Sequence, residues 1–181
     1  MSIISNYRNQ NKQGLTLIEV LIGITIFGVL VAAVFGIYQT ITASNDANEA
    51  GRNIQTIYNN TAKIFRRDTT DDLSTENATL LGIFPQGMNI VSDTEVYNVF
   101  DGQVELDQYT GPNSFILTYP EVPAGETCVS IVQGQIGVGW DFVDGETTDV
   151  DLNGQNAAGP GAIAATCDAV GDTLTLLFRK E

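Results

Sequence analysis

Gln13-Gly14-Leu15-Thr16-Leu17-Ile18-Glu19-Val20 joins two segments of opposite character. Before it lies a short polar leader whose only charges are Arg8 and Lys12. After it the chain reads LTLIEVLIGITIFGVLVAAVFGIY from Leu15 to Tyr38, long enough to cross a bilayer as a helix. One carboxylate, Glu19, sits inside that run. Ionised, it costs several kcal/mol in lipid unless it finds a partner. A basic leader ahead of an apolar span predicts the leader on the cytoplasmic side and everything beyond Tyr38 outside. An ordinary cleaved signal peptide wants an apolar core of about 7–15 residues followed by a small-residue cleavage site. Val31-Ala32-Ala33 loosely offers such a site, but the run is too long and Glu19 is in the wrong place. A plain membrane anchor accounts for the length and leaves the carboxylate without a reason.

Beyond Tyr38 the chain stays compatible with a helix, and free of proline, as far as the Asp68-Thr-Thr-Asp-Asp72 cluster. The pattern narrows from apolar all round to a stripe of Ile54, Ile57, Tyr58, Ala62 and Phe65 at three- and four-residue spacing. Asn45, Asp46, Asn48, Glu49, Asn53, Asn59 and Asn60 supply a polar face. Arg66 and Arg67 close the last turn, where cations suit the helix dipole. The expectation is one helix over residues 15–67, roughly 80 Å at 1.5 Å per residue. Gly28 and Gly36 interrupt its apolar half, each weakening a helix by about 1 kcal/mol relative to alanine.

From residue 68 the signals are strands and turns. The spacing predicts strands over 78–84, 96–100, 103–109, 114–119, 139–143 and 172–180, with a short helix over 124–132. Val104, Leu106 and Gln108 alternate with Glu105 and Asp107, and Trp140 shares a face with Phe142. Pro120-Glu-Val-Pro123 reads as a break, and residues 154–161, GQNAAGPG, as a flexible loop. Leu174, Leu176 and Phe178 alternate so regularly that their strand belongs inside an antiparallel sheet. A long helix followed by strands is an α+β arrangement, with the sheet covering the helix's apolar stripe.

The 181 residues carry eight Lys plus Arg against 22 Asp plus Glu, a net charge of −14, and no histidine. Removing residues 1–14 takes two bases and leaves −16. Between Arg67 and Arg179 there is no base, while 18 acids run from Asp68 to Asp172. A domain of that charge repels phosphate backbones and is not expected to bind nucleic acid. It suits a solvated surface, or one adapted to high salt or divalent cations. Asp149-Val-Asp151-Leu-Asn153-Gly154 matches the first half of a calcium loop, but the twelfth position is Pro160 instead of glutamate. Calcium is therefore the one cofactor to consider; the alternative is an acidic turn. Without histidine, Gly-x-Ser-x-Gly or a phosphate loop, the chain offers no enzyme machinery. Cys128 and Cys167, in the part that would be exported, read as one disulfide. It would close a loop of about 40 residues, worth roughly 4 kcal/mol by loop entropy. Two reduced core cysteines are the alternative.

Gly14, four apolar or hydroxyl residues, Glu19 and an unbroken apolar helix together resemble the class III signal of type IV pilins. In layout the C-terminal half is similar to the type IVb group, which includes pilins of conjugative thin pili: Val122-Pro123, Cys128, Trp140–Gly145, Cys167 and a last strand at Thr173–Phe178. Leu15 in place of phenylalanine suits that group, while Leu-Thr-Leu-Ile-Glu is equally like type IVa pilins and pseudopilins. The resemblance implies a type IV pilin-like fold with residues 1–14 as leader. Residues 15–38 would be the membrane and polymerisation half of the helix, 39–67 its amphipathic half, and 68–181 the acidic head. It implies that a prepilin peptidase cuts after Gly14 and methylates Leu15. Glu19 would pair with the new amine of a neighbouring subunit, and the Gly28–Gly36 segment would loosen within the filament. Implied partners are further copies of the chain, the peptidase, the inner membrane and the pilus assembly machinery, with the final location an extracellular pilus. A minor pilin, a type II secretion pseudopilin, or a membrane-anchored adhesin that does not polymerise are the alternatives.

Overall fold

The computed structural model describes residues 16–65, 70, 72–110, 113–145, 149–153, 157–168 and 173–181, without the side chains of Gln39, Thr40 and Asp149. Helix α1 spans Leu17–Ile64. The Thr16 carbonyl starts it, accepting from Val20 N at 3.2 Å. The chain divides into two compact units, Met1–Ile41 and Thr42–Glu181. The first contributes the apolar part of α1. The second, the head, contains the rest of α1 and every later element.

In the head α1 buries Ala47, Ala50, Ile54, Ile57 and Thr61, a 3-4-3-4 spacing that keeps one face inward. The stripe foreseen at Ile54 and Ile57 continues N-terminally through two alanines, while Tyr58, Ala62 and Phe65 are only half-buried beside it. Asn53, assigned to the polar face, is instead buried at 7% exposure. The Thr61 hydroxyl donates to the Ile57 carbonyl at 2.8 Å, which lets a polar residue end an apolar stripe.

The next segment corrects the expected strand at 78–84. Residues Thr75–Leu80 form helix α2, capped by Ser74, whose side chain accepts from Asn77 N. A hydroxyl cap of this kind decides the first turn more strongly than apolar content does. Strands β1 (Asn89–Ser92) and β2 (Glu95–Tyr97) form a hairpin, of which β1 was not foreseen. β2 ends at Tyr97 because buried Asn98 makes a turn: its Oδ1 accepts from Phe100 N and Gly102 N, and its Nδ2 donates to the Pro120 carbonyl at 2.7 Å. A Cβ on Gly102 would collide with that same carbonyl, so glycine is required there.

The main sheet has five antiparallel strands in the order β3-β4-β7-β5-β6. They span Glu105–Gln108, Phe115–Pro123, Thr173–Lys180, Phe142–Asp144 and Asp149–Asp151 respectively. Of the foreseen alternation in β3, Val104 and Leu106 are buried and Gln108 is exposed. The β3 edge is covered: Gln108 N donates to the Leu73 carbonyl and Leu106 N to the Thr75 hydroxyl, which removes an open template for pairing.

β4 does not stop at Pro120. It runs on to Pro123 through a register shift between Tyr119 and Val122, with Glu121 at φ 59°. Beyond Thr118 β3 no longer pairs with it, so on that side the strand is an edge where proline forfeits no ladder bond. Strand β5 begins at Phe142, and its inward residue is Val143; Trp140 is fully buried ahead of the strand, not on a shared face with Phe142.

Helix α3 (Glu126–Gln135) lies where a short helix was expected. The supposed loop at 154–161 is different: Pro160 opens helix α4 (Pro160–Thr166) at its first turn, the helical position proline tolerates best. Residues 154–156 lie outside the described set. The final strand, β7, sits in the middle of the sheet with Leu174, Leu176 and Phe178 inward, as its alternation implies.

Leu106, Leu117, Phe178, Val143 and Val150 are paired across all five strands, all at 1% exposure or less. They share one core with Ile54 and Ile57 of α1. Tyr58 packs on Trp140 at 5.0 Å between ring centroids, and Trp140 on Phe178 at 5.6 Å. An Ile54→Ala change is expected to cost about 2–5 kcal/mol, whereas Arg52→Ala on the outward side stays within about 0.5 kcal/mol. Urea denaturation of the full chain in detergent, followed by tryptophan fluorescence, measures both; equal losses would contradict the inward assignment.

Candidate assembly and processing site

Helix α1 places Glu19 in its first turn, where the backbone N–H groups of Glu19 and Val20 both reach the Thr16 carbonyl. A carboxylate there gains about 0.3–1 kcal/mol from the helix dipole. Around it Leu17, Ile18, Val20, Leu21 and Ile22 are all exposed, and exposed large apolar side chains continue on every side of the helix to Ile41. The helix is long and apolar enough to cross a membrane. The Thr25 hydroxyl is satisfied within it, donating to the Ile22 carbonyl at 2.8 Å, as a polar group in lipid must be. Gly28 and Gly36 are both helical, and an added Cβ at either meets nothing within 4 Å. Gly14 and Leu15 lie outside the described residues.

In the head, Cys128 of α3 and Cys167 at the end of α4 are joined as a disulfide, Cα to Cα 5.6 Å. Gly125 N donates to the Cys167 carbonyl at 3.0 Å, so the two helices are tied covalently and by backbone.

Asp149 and Asp151 belong to strand β6 and Asn153 follows it, while Gly154 and Gln155 lie outside the described residues. Asp151 Oδ1 accepts from Asn153 N at 2.7 Å, and Asn153 Nδ2 donates to Asp141 Oδ1 at 3.1 Å. Among the described residues no group of three or more His, Cys, Asp or Glu gathers where it could hold a metal ion. Asp144 pairs in register with Asp149, Asp168 lies exposed after α4, and Glu146 is outside the described set.

Asp141 is a residue the sequence reading missed. Its Oδ2 accepts from Lys180 Nζ at 2.5 Å and from Glu181 N at 2.9 Å, so it clamps the end of the chain to β5 and β6. Only the strand register reveals this, because 39 residues separate the ion pair.

Comparison with protein families matches residues 44–180 to the family described as PilS N terminal. The chain belongs to the PilS N-terminal family. Residues 9–35 match the prokaryotic N-terminal methylation motif, which covers Gly14, Leu15, Glu19 and Gly28. Comparison with curated proteins gave no match. Among solved structures the chain is similar in fold to the type IVb pilin from Salmonella typhi, with TM-score 0.57 and 21% identity over 74% of this chain and 98% of that one. Family, motif and fold make it a type IVb prepilin, a structural subunit and not an enzyme. It is held in the inner membrane by its apolar helix and then resides in an extracellular pilus.

Two predictions concern the subunit's own chemistry. Burial raises the Asp107 carboxyl above its ordinary 3.8, while the Thr75 backbone N–H pulls it back. A raised acid disfavours the fold when ionised. Asp107→Asn is therefore expected to raise the melting temperature slightly at pH 7, with the gain vanishing below 3.8, where the carboxyl is protonated in both states. Paired melting curves at pH 7 and pH 3 test this; a gain unchanged at pH 3 contradicts it. Replacing both cysteines by serine should cost roughly 4 kcal/mol on the loop-entropy scale, measurable as a lower urea midpoint that reductant no longer shifts.

Proposed function

We propose that the chain is a building block of its filament, polymerising through the apolar half of α1 once a leader of residues 1–14 has been removed. In this reading a prepilin peptidase cuts after Gly14 and methylates the new terminus at Leu15. Residues 15–38 serve the membrane and then the filament, 39–67 join them to the head, and 68–181 complete the head. One observation carries the reading: an apolar helix, exposed on every side from Leu17 to Tyr38, with a single carboxylate in its first turn.

Such a surface is soluble only in lipid or among copies of itself. Glu19 fits the second environment, because the amine freed at Leu15 of a neighbouring copy would neutralise it as both leave water. Gly28 and Gly36, with room for a side chain yet none present, favour local loosening of the helix during packing. The pilus assembly machinery is a further partner in this reading. The reading assigns no resident metal.

Gly14→Ala is expected to leave the protein at its uncleaved mass; a mature-size product from that variant ends the processing assignment. Glu19→Ala should be cleaved normally while surface filaments, sheared and weighed against wild type, fall by at least about ten-fold, the loss of roughly 1.4 kcal/mol or more per contact. Abundant filaments from the Glu19 variant, or a subunit by mass spectrometry that does not begin at methylated Leu15, would count against the proposal.

A further inference from the structure

Where α1 ends in the head, a half-enclosed pocket of about 160 Å³ opens between the helix, the start of β4 and the end of β7. Its walls are apolar. Tyr58, Ala62 and Phe65 line it from one face of the helix, at four- and three-residue spacing, and buried Phe115 lines it from β4. Tyr58 packs on Phe115 at 5.9 Å between ring centroids and is backed in turn by Trp140, so the wall is fixed before any ligand arrives. Asn113 and Lys180 complete the lining with polar groups. A further polar residue there, Thr70, already donates its hydroxyl to the Ser114 carbonyl at 2.8 Å.

This lining selects a ligand by size, polarity and charge. A cavity of about 150 Å³ holds one benzene-sized ring, so the pocket takes a single ring; a drug-sized molecule needs about 300 Å³ or more. An entirely apolar ring would cover the two polar groups without giving them partners, at a cost in free energy. Among the described residues the Asn113 side chain makes no hydrogen bond, and Lys180 Nζ uses two of its three N–H groups, on Asp141 Oδ2 and the main-chain oxygen of Glu181. The ligand therefore carries acceptors. It is not an anion, because Asp141 already balances the Lys180 charge and the chain as a whole stands at −14. An uncharged six-membered ring, apolar on one face and hydroxylated around its edge, meets all three conditions. That is a pyranose sugar.

We propose that this pocket binds one neutral pyranose ring, its C–H face against Tyr58 and Phe65 and its hydroxyls on Lys180 Nζ and the Asn113 amide. The ring is either a free monosaccharide or the terminal unit of a glycan. The pocket lies wholly in the head, so the proposal stands whether or not the chain polymerises.

The test titrates the full chain, in a detergent without a sugar headgroup, with methyl glycosides of glucose, galactose, mannose and N-acetylglucosamine, read by saturation-transfer NMR. At least one should bind saturably with millimolar affinity. Benzyl alcohol and N-acetylneuraminic acid, the apolar and anionic comparators, should bind at least about ten-fold more weakly. Ala62→Leu, which fills the pocket from the helix side, should abolish sugar binding while the melting temperature holds. Asn113→Gly removes the amide at a position where φ is 66°, a conformation glycine tolerates, and should weaken binding several-fold. The same ring at the end of a longer oligosaccharide identifies the source: tighter binding marks a glycan, equal binding a free sugar. The proposal is overturned if none of these sugars binds, if either comparator binds better than all of them, or if both variants bind like the wild-type chain. A chain that binds sugar yet forms no filament would remove the polymerisation reading and leave this one.

Discussion

The head depends on the burial of one stripe of α1. A five-stranded antiparallel sheet with Leu106, Leu117, Phe178, Val143 and Val150 on one face must cover that face, and α1 provides the cover. Ala47 and Ala50 let the helix backbone come close; Ile54 and Ile57 then fill the space, each worth about 1.5–3 kcal/mol when fully buried. Further along, Tyr58 meets Trp140 and Phe115 with tilted rings, so the packing changes from aliphatic to aromatic along a single helix. The close approach shows at Gly139, where a Cβ would collide with the Tyr58 ring and where φ is 131°. Gln135 adds a polar tie, donating from Nε2 to the Gly51 carbonyl at 3.0 Å.

Against this frame the two tyrosines of the core differ in an instructive way. Tyr119 is fully buried and, among the described residues, its hydroxyl lacks a hydrogen-bond partner. Burial pushes its ionisation far upward, the Glu49 carboxylate pushes it further, and the nearby Asn53 side chain offsets little of this without reaching hydrogen-bond geometry. Tyr58 is raised by burial as well, but the Lys180 ammonium lowers it. That ammonium is held in place by Asp141. The C-terminal clamp therefore reaches the aromatic end of the core, and the last strand is fixed from both its sheet neighbours and its tail.

Features decided by local chemistry were legible in the sequence. Alternation placed Leu174, Leu176 and Phe178 correctly inside the sheet, and three-four spacing placed Ile54 and Ile57 inward. Gly14, Glu19 and the apolar run pointed to the family before any coordinates. What failed had one of two causes. Single residues at element boundaries overrode composition: Ser74 made a helix of an apolar segment, and Pro160 began one in a stretch that reads as loop. Long-range register was invisible: nothing local indicates that Asp141 receives Lys180, or that Pro120 lies where β4 has become an edge. The acidic residues show the same limit. Counted along the chain they are a uniform excess; placed by register, Glu105 and Asp107 fall on one edge strand of the sheet and Asp149 and Asp151 on the other, with Asn153 just past its end.

The position of Glu19 follows from comparing magnitudes. In water a carboxylate in the first turn of a helix needs no further reason, since the dipole favours it by up to about 1 kcal/mol. In lipid the same group costs several kcal/mol, and the dipole cannot offset that. Among the described residues its side chain has neither an ion pair nor a hydrogen bond. The compensating charge must then come from outside the described part of this subunit. In the proposed reading it is the α-amine that cleavage after Gly14 would create, four residues before Glu19 and at the same depth in each helix. A neighbour displaced along the axis by about one helical turn, roughly 5.4 Å, would bring its amine level with this carboxylate. In that reading the pair would fix the axial register of the helices.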